Sequence, residues 1–213
     1  MAEITEERGQ HSPRIQLGAS SPGDEGALAR LWCMTFAEKW RHLFGNLAEA
    51  FLETWLLQDP KVHEGSVLAQ VDGAAAGFIH FDAGTPTFSR SSRKLWQALR
   101  GYFGPVGAFT RLLRLWIIER SPRFAANELH IKMLAVDPHW RGKGLARRLL
   151  NYAEHHARNE GREFLVLDVA KNNQDAIRLY ERYGFQKLQH SSRPLLRWAS
   201  GQGQYLRMRK AVR

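Results

Sequence analysis

Residues Arg141 to Leu150 read RGKGLARRLL and set Gly142 and Gly144 among Arg141, Lys143, Arg147 and Arg148. Neither glycine nor dense positive charge serves a buried core. Together they suit a backbone turn that meets an anion. The preceding segment, ELHIKMLAV from Glu128 to Val136, is strand-like, and ARRLLNYAEHHARNEG continues with an amphipathic helical pattern. A strand-to-helix turn presents several backbone N–H groups that lack intrahelical acceptors, at the positive end of the helix dipole, where phosphate oxygens bind. A flexible surface turn with solvated charges accounts for the same residues.

Two phosphate-binding patterns can be tested against this stretch. A Walker A loop requires Ser or Thr after Gly-Lys, whereas Gly144 follows Lys143. The dinucleotide fingerprint would use Gly142 and Gly144 but places Arg147 where Gly or Ala allows close helix–strand packing, and DPHW separates the turn from the strand. Asp168, at the end of the next strand, keeps a nicotinamide-dependent enzyme in view as a third reading.

A second stretch, NNQDAIRLYERYGF, has the chemistry of a helix with both ends specified. Asn172 or Asn173 can cap it, Asp175 suits its positive first turn and Gly184 its C-terminus. Asn173 and Tyr180 lie seven residues apart and share a face, so an amide and a phenol can point into one cleft. Buried polar packing is the alternative role for the tyrosine.

Taken together, LAVDPHWRGKGLARRLL and NNQDAIRLYERYGF resemble the two signatures of the GCN5-related N-acetyltransferase (GNAT) family. The first signature, Arg or Gln, two residues, Gly, one residue, then Gly or Ala, is met by Arg141, Gly144 and Ala146; the second by Asn173, Ala176, Tyr180, Gly184 and Phe185. The similarity covers about residues 128 to 188 and implies a mixed α/β (α+β) GNAT-like fold. That fold has a central, mostly antiparallel sheet with one parallel pair forming the acetyl-CoA cleft, flanking helices and, here, a helical insertion before the central strand. It implies acetyl-CoA as co-substrate and an N-acetyltransferase that moves an acetyl group to a primary amine by direct attack in a ternary complex. The strand ending in Leu134, Ala135 and Val136 would pair with the pantetheine arm, and the amides of Gly142, Lys143, Gly144, Leu145, Ala146 and Arg147, with Arg141, would hold the pyrophosphate. Asn173 would line the cofactor side, and Tyr180 would protonate the departing thiolate. The attacking amine must be neutral, so a base is required. Glu128 and His130 are the candidates, since with Lys132 they alternate along one strand and share a face, with Glu128 preferred. A solvated strand face explains the same alternation.

The acceptor is an amine-bearing small molecule, peptide or protein, and the sequence selects none of them. A net charge of +10 attracts phosphates, nucleic acid or anionic lipid without choosing among them. The alternative function is a non-catalytic acyl-CoA-sensing or nucleic-acid-binding module on the same fold. The lone Cys33 sits in a helical pattern as a packed thiol, and no HExxH or comparable ligand spacing appears, so no metal is expected.

A length of 213 residues with 44% hydrophobic content fits one domain, 14 to 213, after a flexible tail at 1 to 13. No apolar h-region opens the chain, and no apolar run approaches the ~20 residues of a membrane span, so a cytoplasmic protein is expected. RIQLGA predicts a strand, with Asp24 capping a helix that carries Leu28, Leu31, Trp32, Thr35 and Phe36. A second helix has Leu47, Ala50, Phe51, Thr54 and Trp55 on one face, and a hairpin turns at DGAA. Between Arg90 and Arg123 eight Lys and Arg face only Glu119, marking a basic insertion at about 85 to 126. Its two amphipathic pieces carry Leu95, Trp96, Leu99, Tyr102 and Phe103, then Phe109, Leu112, Leu113, Trp116 and Ile117, expected to pack inward as a lid over the acceptor side. A homodimer contact or a membrane surface is the alternative for these faces. Strands near FQKLQH and QYLRMRKAV are expected to close the fold.

Overall fold

A computed structural model describes residues 13–82, 92–119, 124–192, 194–201 and 203–212; the expected tail, apart from Pro13, and residues 85–91 and 120–123 of the insertion lie outside them. Seven strands form one sheet in the order β1-β2-β3-β4-β5-β7-β6. β1 (Ile15–Ala19), β2 (Ser66–Val71) and β3 (Ala74–Phe81) are antiparallel neighbours that lead to β4 (Glu128–Val136). The expected hairpin turns on Asp72 and Gly73, both at positive φ, 51° and 83°, the requirement of a type I′ turn. β5 (Phe164–Ala170) runs parallel to β4, and β6 (Gln186–Ser192) and β7 (Gln204–Ala211) complete the antiparallel far side.

Helices cover both faces. α1 (Glu25–Thr35), α2 (Ala37–Phe44), α3 (Ala48–Gln58) and α4 (Ser92–Glu119) lie on one, around a core rich in Trp32, Trp55, Phe44, Phe51 and Phe78. α5 (Leu145–Asn159) and α6 (Gln174–Tyr183) cover the other, where Leu149, Leu150 and Ala153 meet Ile79, Ile131 and Leu167. The short α7 (Pro194–Ser200) packs on α2 and α4. No helix among the described residues is long and apolar enough to cross a membrane.

Several local expectations change. Asp24 stands at the N-cap of α1, but its carboxylate accepts from Ser21 N (2.8 Å) and Oγ (2.9 Å) instead of from the helix. The buried face of α3 is Ala48, Phe51, Leu52, Trp55 and Leu56, while Leu47 and Ala50 are exposed. The insertion is a helix pair merged across a kink, with Gly104 at φ 66° and ψ 176° followed by Pro105. Leu95, Ala98, Leu99, Ala108 and Leu115 bury against the core, whereas Phe109, Leu113 and Trp116, expected to face inward, point outward. Burial is decided by which side of α4 meets α3 and α7.

Candidate active site: a parted strand pair

β4 and β5 hydrogen-bond as a parallel pair only from Glu128↔Phe164 to Ile131↔Leu167. Beyond that point they separate. The separation coincides with a bulge in β4: His80 pairs with Met133 but Phe81 with Ile131, leaving Lys132 as the extra residue. A bulge bends its strand and reverses the in–out alternation beyond it. Leu129 and Ile131 therefore belong to the α5-side core, while Met133 and Ala135 face the α1-side core. Glu128 and His130 still share a face, but Lys132 sits in the bulge, so the simple three-residue alternation stops there.

The opening is a cleft of about 310 Å³. Its walls are Ile131 to Leu134 of β4 and Leu167 to Ala170 of β5; Thr35 to Glu38, at the α1–α2 junction, close one side, and Asn172, Asn173, Ala176 and Tyr180 of α6 the other. The cleft thus runs through the sheet between its two faces. Asn173 caps α6, its Oδ1 accepting from Ala176 N at 3.2 Å, and Gly184 ends the helix at φ 101°, so the two ends read from the sequence fix where Tyr180 points. Its ring is 7% exposed and meets Phe185 edge-on at 5.6 Å. Burial pushes its phenol up to about 12, which keeps it protonated and a donor at neutral pH. No described residue hydrogen-bonds the hydroxyl.

At the end of β4, Pro138–Trp140 form a single 3-10 turn, and residues 141 to 144 lead into α5. Gly142 and Gly144 adopt φ 76° and 77°. A Cβ built on either would meet nothing within 4 Å, so the positive φ is the requirement here and not close packing. Arg141, Lys143, Arg147 and Arg148 are exposed, with Lys143 Nζ 4.3 Å from the Trp140 ring centroid. Leu145 is buried and Ala146 half-buried. Sequence reasoning passed over the brace behind this turn: Arg30 of α1 pairs with Asp137 and also donates to Ala75 O at 3.0 Å. Asp137 in turn accepts from His139 N at 3.0 Å, and the Arg30 and His139 hydrogen bonds hold its carboxyl far below the usual range. An Asp directly before a Pro that opens a helical turn was the visible signal.

The base candidates, Glu128 and His130, are not among the residues that line the cleft. Glu128 accepts from Ala125 N at 3.0 Å and lies 3.9 Å from Arg209. His130 stacks on Phe124 with centroids 3.8 Å apart, and its Nδ1 is 3.5 Å from an Asp82 oxygen, too long for a good hydrogen bond. Burial holds the His130 imidazole below its ordinary value, against the opposing pull of Asp82 and Asp168, so the ring is neutral at pH 7. Asp168, on the cleft wall, is bound bidentately by Arg207, its partner across the β5–β7 ladder, at 2.9 and 2.7 Å. That pairing occupies the carboxylate a dinucleotide ribose would need.

The chain matches the model of the acetyltransferase (GNAT) family over residues 27–185. It belongs to the GNAT family. An acetyltransferase from Agrobacterium fabrum is 43% identical over 60 residues, 28% of this chain and 42% of that protein. A mycothiol acetyltransferase from Thermobifida fusca is 38% identical over 56 residues, covering 26% of this chain and 17% of that protein. The chain thus spans less than half the length of these curated relatives. Among solved structures, an N-acetyltransferase from Staphylococcus aureus superposes with a TM-score of 0.66 at 16% identity, covering 91% of this chain and 99% of that one, a likeness of fold. The parallel pair inside a mostly antiparallel sheet, expected from the two signatures, is the GNAT arrangement.

Proposed function

We propose that the chain transfers an acetyl group from acetyl-CoA to a primary amine by direct attack in a ternary complex. The observation that carries this reading is the parted β4–β5 pair with a protonated, buried phenol on the cleft wall. Acetyl-CoA would supply the activated acyl carbon. The backbone groups of Leu134 to Val136, freed where β5 departs, would hold the pantetheine arm, and one N–H there would meet charge developing on the carbonyl oxygen. The amides of residues 142 to 147 and the Arg141 side chain would hold the pyrophosphate at the start of α5, with Asn173 lining the cofactor side.

In the transfer, the amine nitrogen bonds to the acyl carbon as the carbon–sulfur bond breaks. Tyr180 gives its proton to the leaving sulfur, and the excess proton on nitrogen passes to a base. His130 fits the base role better than Glu128, because burial keeps it neutral while Glu128 is held by Ala125 N beside Arg209. His130 is outside the cleft lining, so a relay between the amine and this ring would be required. A thiol-release assay with acetyl-CoA over a panel of amines tests the reading, paired with thermal shifts for acetyl-CoA and NAD. Stabilisation by acetyl-CoA with amine-dependent thiol release is expected. Stabilisation without release from any amine would leave a binding module, and stabilisation by NAD alone would overturn the family-based cofactor.

A further inference from the structure

The surroundings of His130 decide which of its ring nitrogens carries the proton. The ring stacks on Phe124 with planes 21° from parallel, which fixes its plane. Asp82, directly after β3, donates its backbone N–H to the His130 carbonyl at 3.0 Å, so the two residues are held side by side, with an Asp82 oxygen 3.5 Å from Nδ1. Nδ1 itself is buried without a hydrogen-bond partner among the described residues, while the side chain as a whole keeps 11% exposure. That exposure therefore belongs to other atoms of the side chain. A neutral imidazole has one N–H and one lone pair, and an ionised carboxylate only accepts. A lone pair on Nδ1 would be buried facing negative charge, whereas a proton there points at an acceptor. The second carboxylate acting on the ring, Asp168, is taken up by Arg207, whose guanidinium also lies over Phe124 at 4.6 Å. Lys132 of β4 opposes positive charge on the ring, and His80 of β3, pushed down to about 3, is neutral. Glu128, two residues along β4, is engaged by Ala125 N and Arg209.

We propose that Asp82 is a positioning residue for the transfer: it holds the Nδ1 proton of His130 and so makes Nε2 the atom that takes up the proton released by the amine. This rests on the reading of His130 as the base. In the step, the relayed proton adds to Nε2, Nδ1 keeps its own, and the ring becomes cationic beside a carboxylate that stays ionised. A hydrogen bond from an imidazolium to a carboxylate is charge-assisted and shorter than a neutral one. Catalytic contacts that are long in the resting protein tighten as charge develops, so the 3.5 Å separation is one that closes when the ring is charged. Which nitrogen of a histidine reacts is set by the partner of the other, and Asp82 is that partner.

Long-range proton–nitrogen correlation spectra of the full chain at pH 7 distinguish the two tautomers, and His130→Gln identifies the His130 signals among those of nine histidines. A proton on Nδ1 is expected, and a proton on Nε2 overturns the proposal. This measurement needs neither an amine nor an Asp82 variant, so it decides even if Asp82→Asn does not fold. In Asp82→Asn the amide can donate to Nδ1 and reverse the tautomer, so kcat/KM should fall at least about tenfold, with acetyl-CoA affinity near wild type by calorimetry. Asp82 raises the imidazole, so its removal should also move the acidic limb of the profile to lower pH, and Asp82→Glu should restore part of the rate. A purely structural role would lower the unfolding temperature and leave the limb in place. A limb lost in His130→Gln but unmoved in Asp82→Asn therefore overturns the positioning role alone. A limb that persists in His130→Gln overturns the base reading and the positioning role together.

Discussion

Replacing Tyr180 by Phe separates the chemistry of the cleft from its packing. The ring is buried against Phe185, and no described residue accepts from or donates to its hydroxyl. Deleting that oxygen removes no protein hydrogen bond and leaves the ring contacts in place. The folding free energy should therefore move by less than about 1 kcal/mol. Turnover should behave otherwise. A positioned general acid contributes ~10²- to 10⁴-fold, or about 2.7 to 5.4 kcal/mol of barrier at 1.36 kcal/mol per decade. Thiol release at saturating acetyl-CoA and amine reads that loss, calorimetry reads the acetyl-CoA affinity, which should stay close to wild type, and thermal unfolding reads stability. The pH dependence adds a second constraint: with the phenol at about 12, the wild-type rate should show no alkaline inflection from Tyr180 until well above its ordinary value of 10. Near wild-type turnover in Tyr180→Phe would refute the acid role and return the side chain to packing. A large loss of stability would instead show that its hydroxyl is bonded after all.

His130→Gln should abolish the acidic limb of the kcat/KM profile, which lies below pH 6.5 because burial lowers this imidazole from that value; Glu128→Gln should leave the limb in place. Gly144→Val forces a β-branched residue into φ 77°, and the strained turn should weaken acetyl-CoA binding at least about tenfold by calorimetry, with a stability cost on the order of 1–3 kcal/mol. His80, buried and bonded to Ser66 Oγ at 2.8 Å, is pushed down from 6.5 to about 3. Between those values the unfolded chain binds a proton that the folded chain refuses, so stability is present above pH 6.5 and is lost as pH falls. Denaturant midpoints should show about 2 kcal/mol lost between pH 7 and pH 5, with a shallower loss in His80→Asn.

The stretch from β4 to α6 was legible because each element carries both a period and an end signal. Alternation marks β4, two positive-φ glycines mark the turn, and Asn173 and Gly184 bracket α6. The bulge at Lys132 was invisible, since a bulge is a relation between two strands and ELHIKMLAV alternates regardless of its partner. α2 was missed because the pattern of α1 runs on through Phe36, and only the backbone break there, at φ −136° and ψ 59°, divides the helices. α7 is too short to show a period. On α4 the sequence offers apolar residues on more than one side, so the choice between Ala108–Leu115 and Phe109–Trp116 as the buried face belongs to the neighbours α3 and α7. The Arg30–Asp137 pair joins residues 107 positions apart, beyond the reach of any local pattern.

That pair ties the front of the molecule to its back. α1 ends at Thr35, on the cleft's α1–α2 wall, while Asp137 stands immediately before the turn that leads into α5. An eleven-residue helix is a stiff rod about 16 Å long. With Arg30 near its middle fastened to Asp137, it acts as a lever whose far end is the wall that an acceptor would touch. Whatever rigidifies the turn also restrains that wall, and the free energy of ordering one is shared with the other. Two ligands approaching from opposite faces of the sheet would then meet a common mechanical element without ever touching.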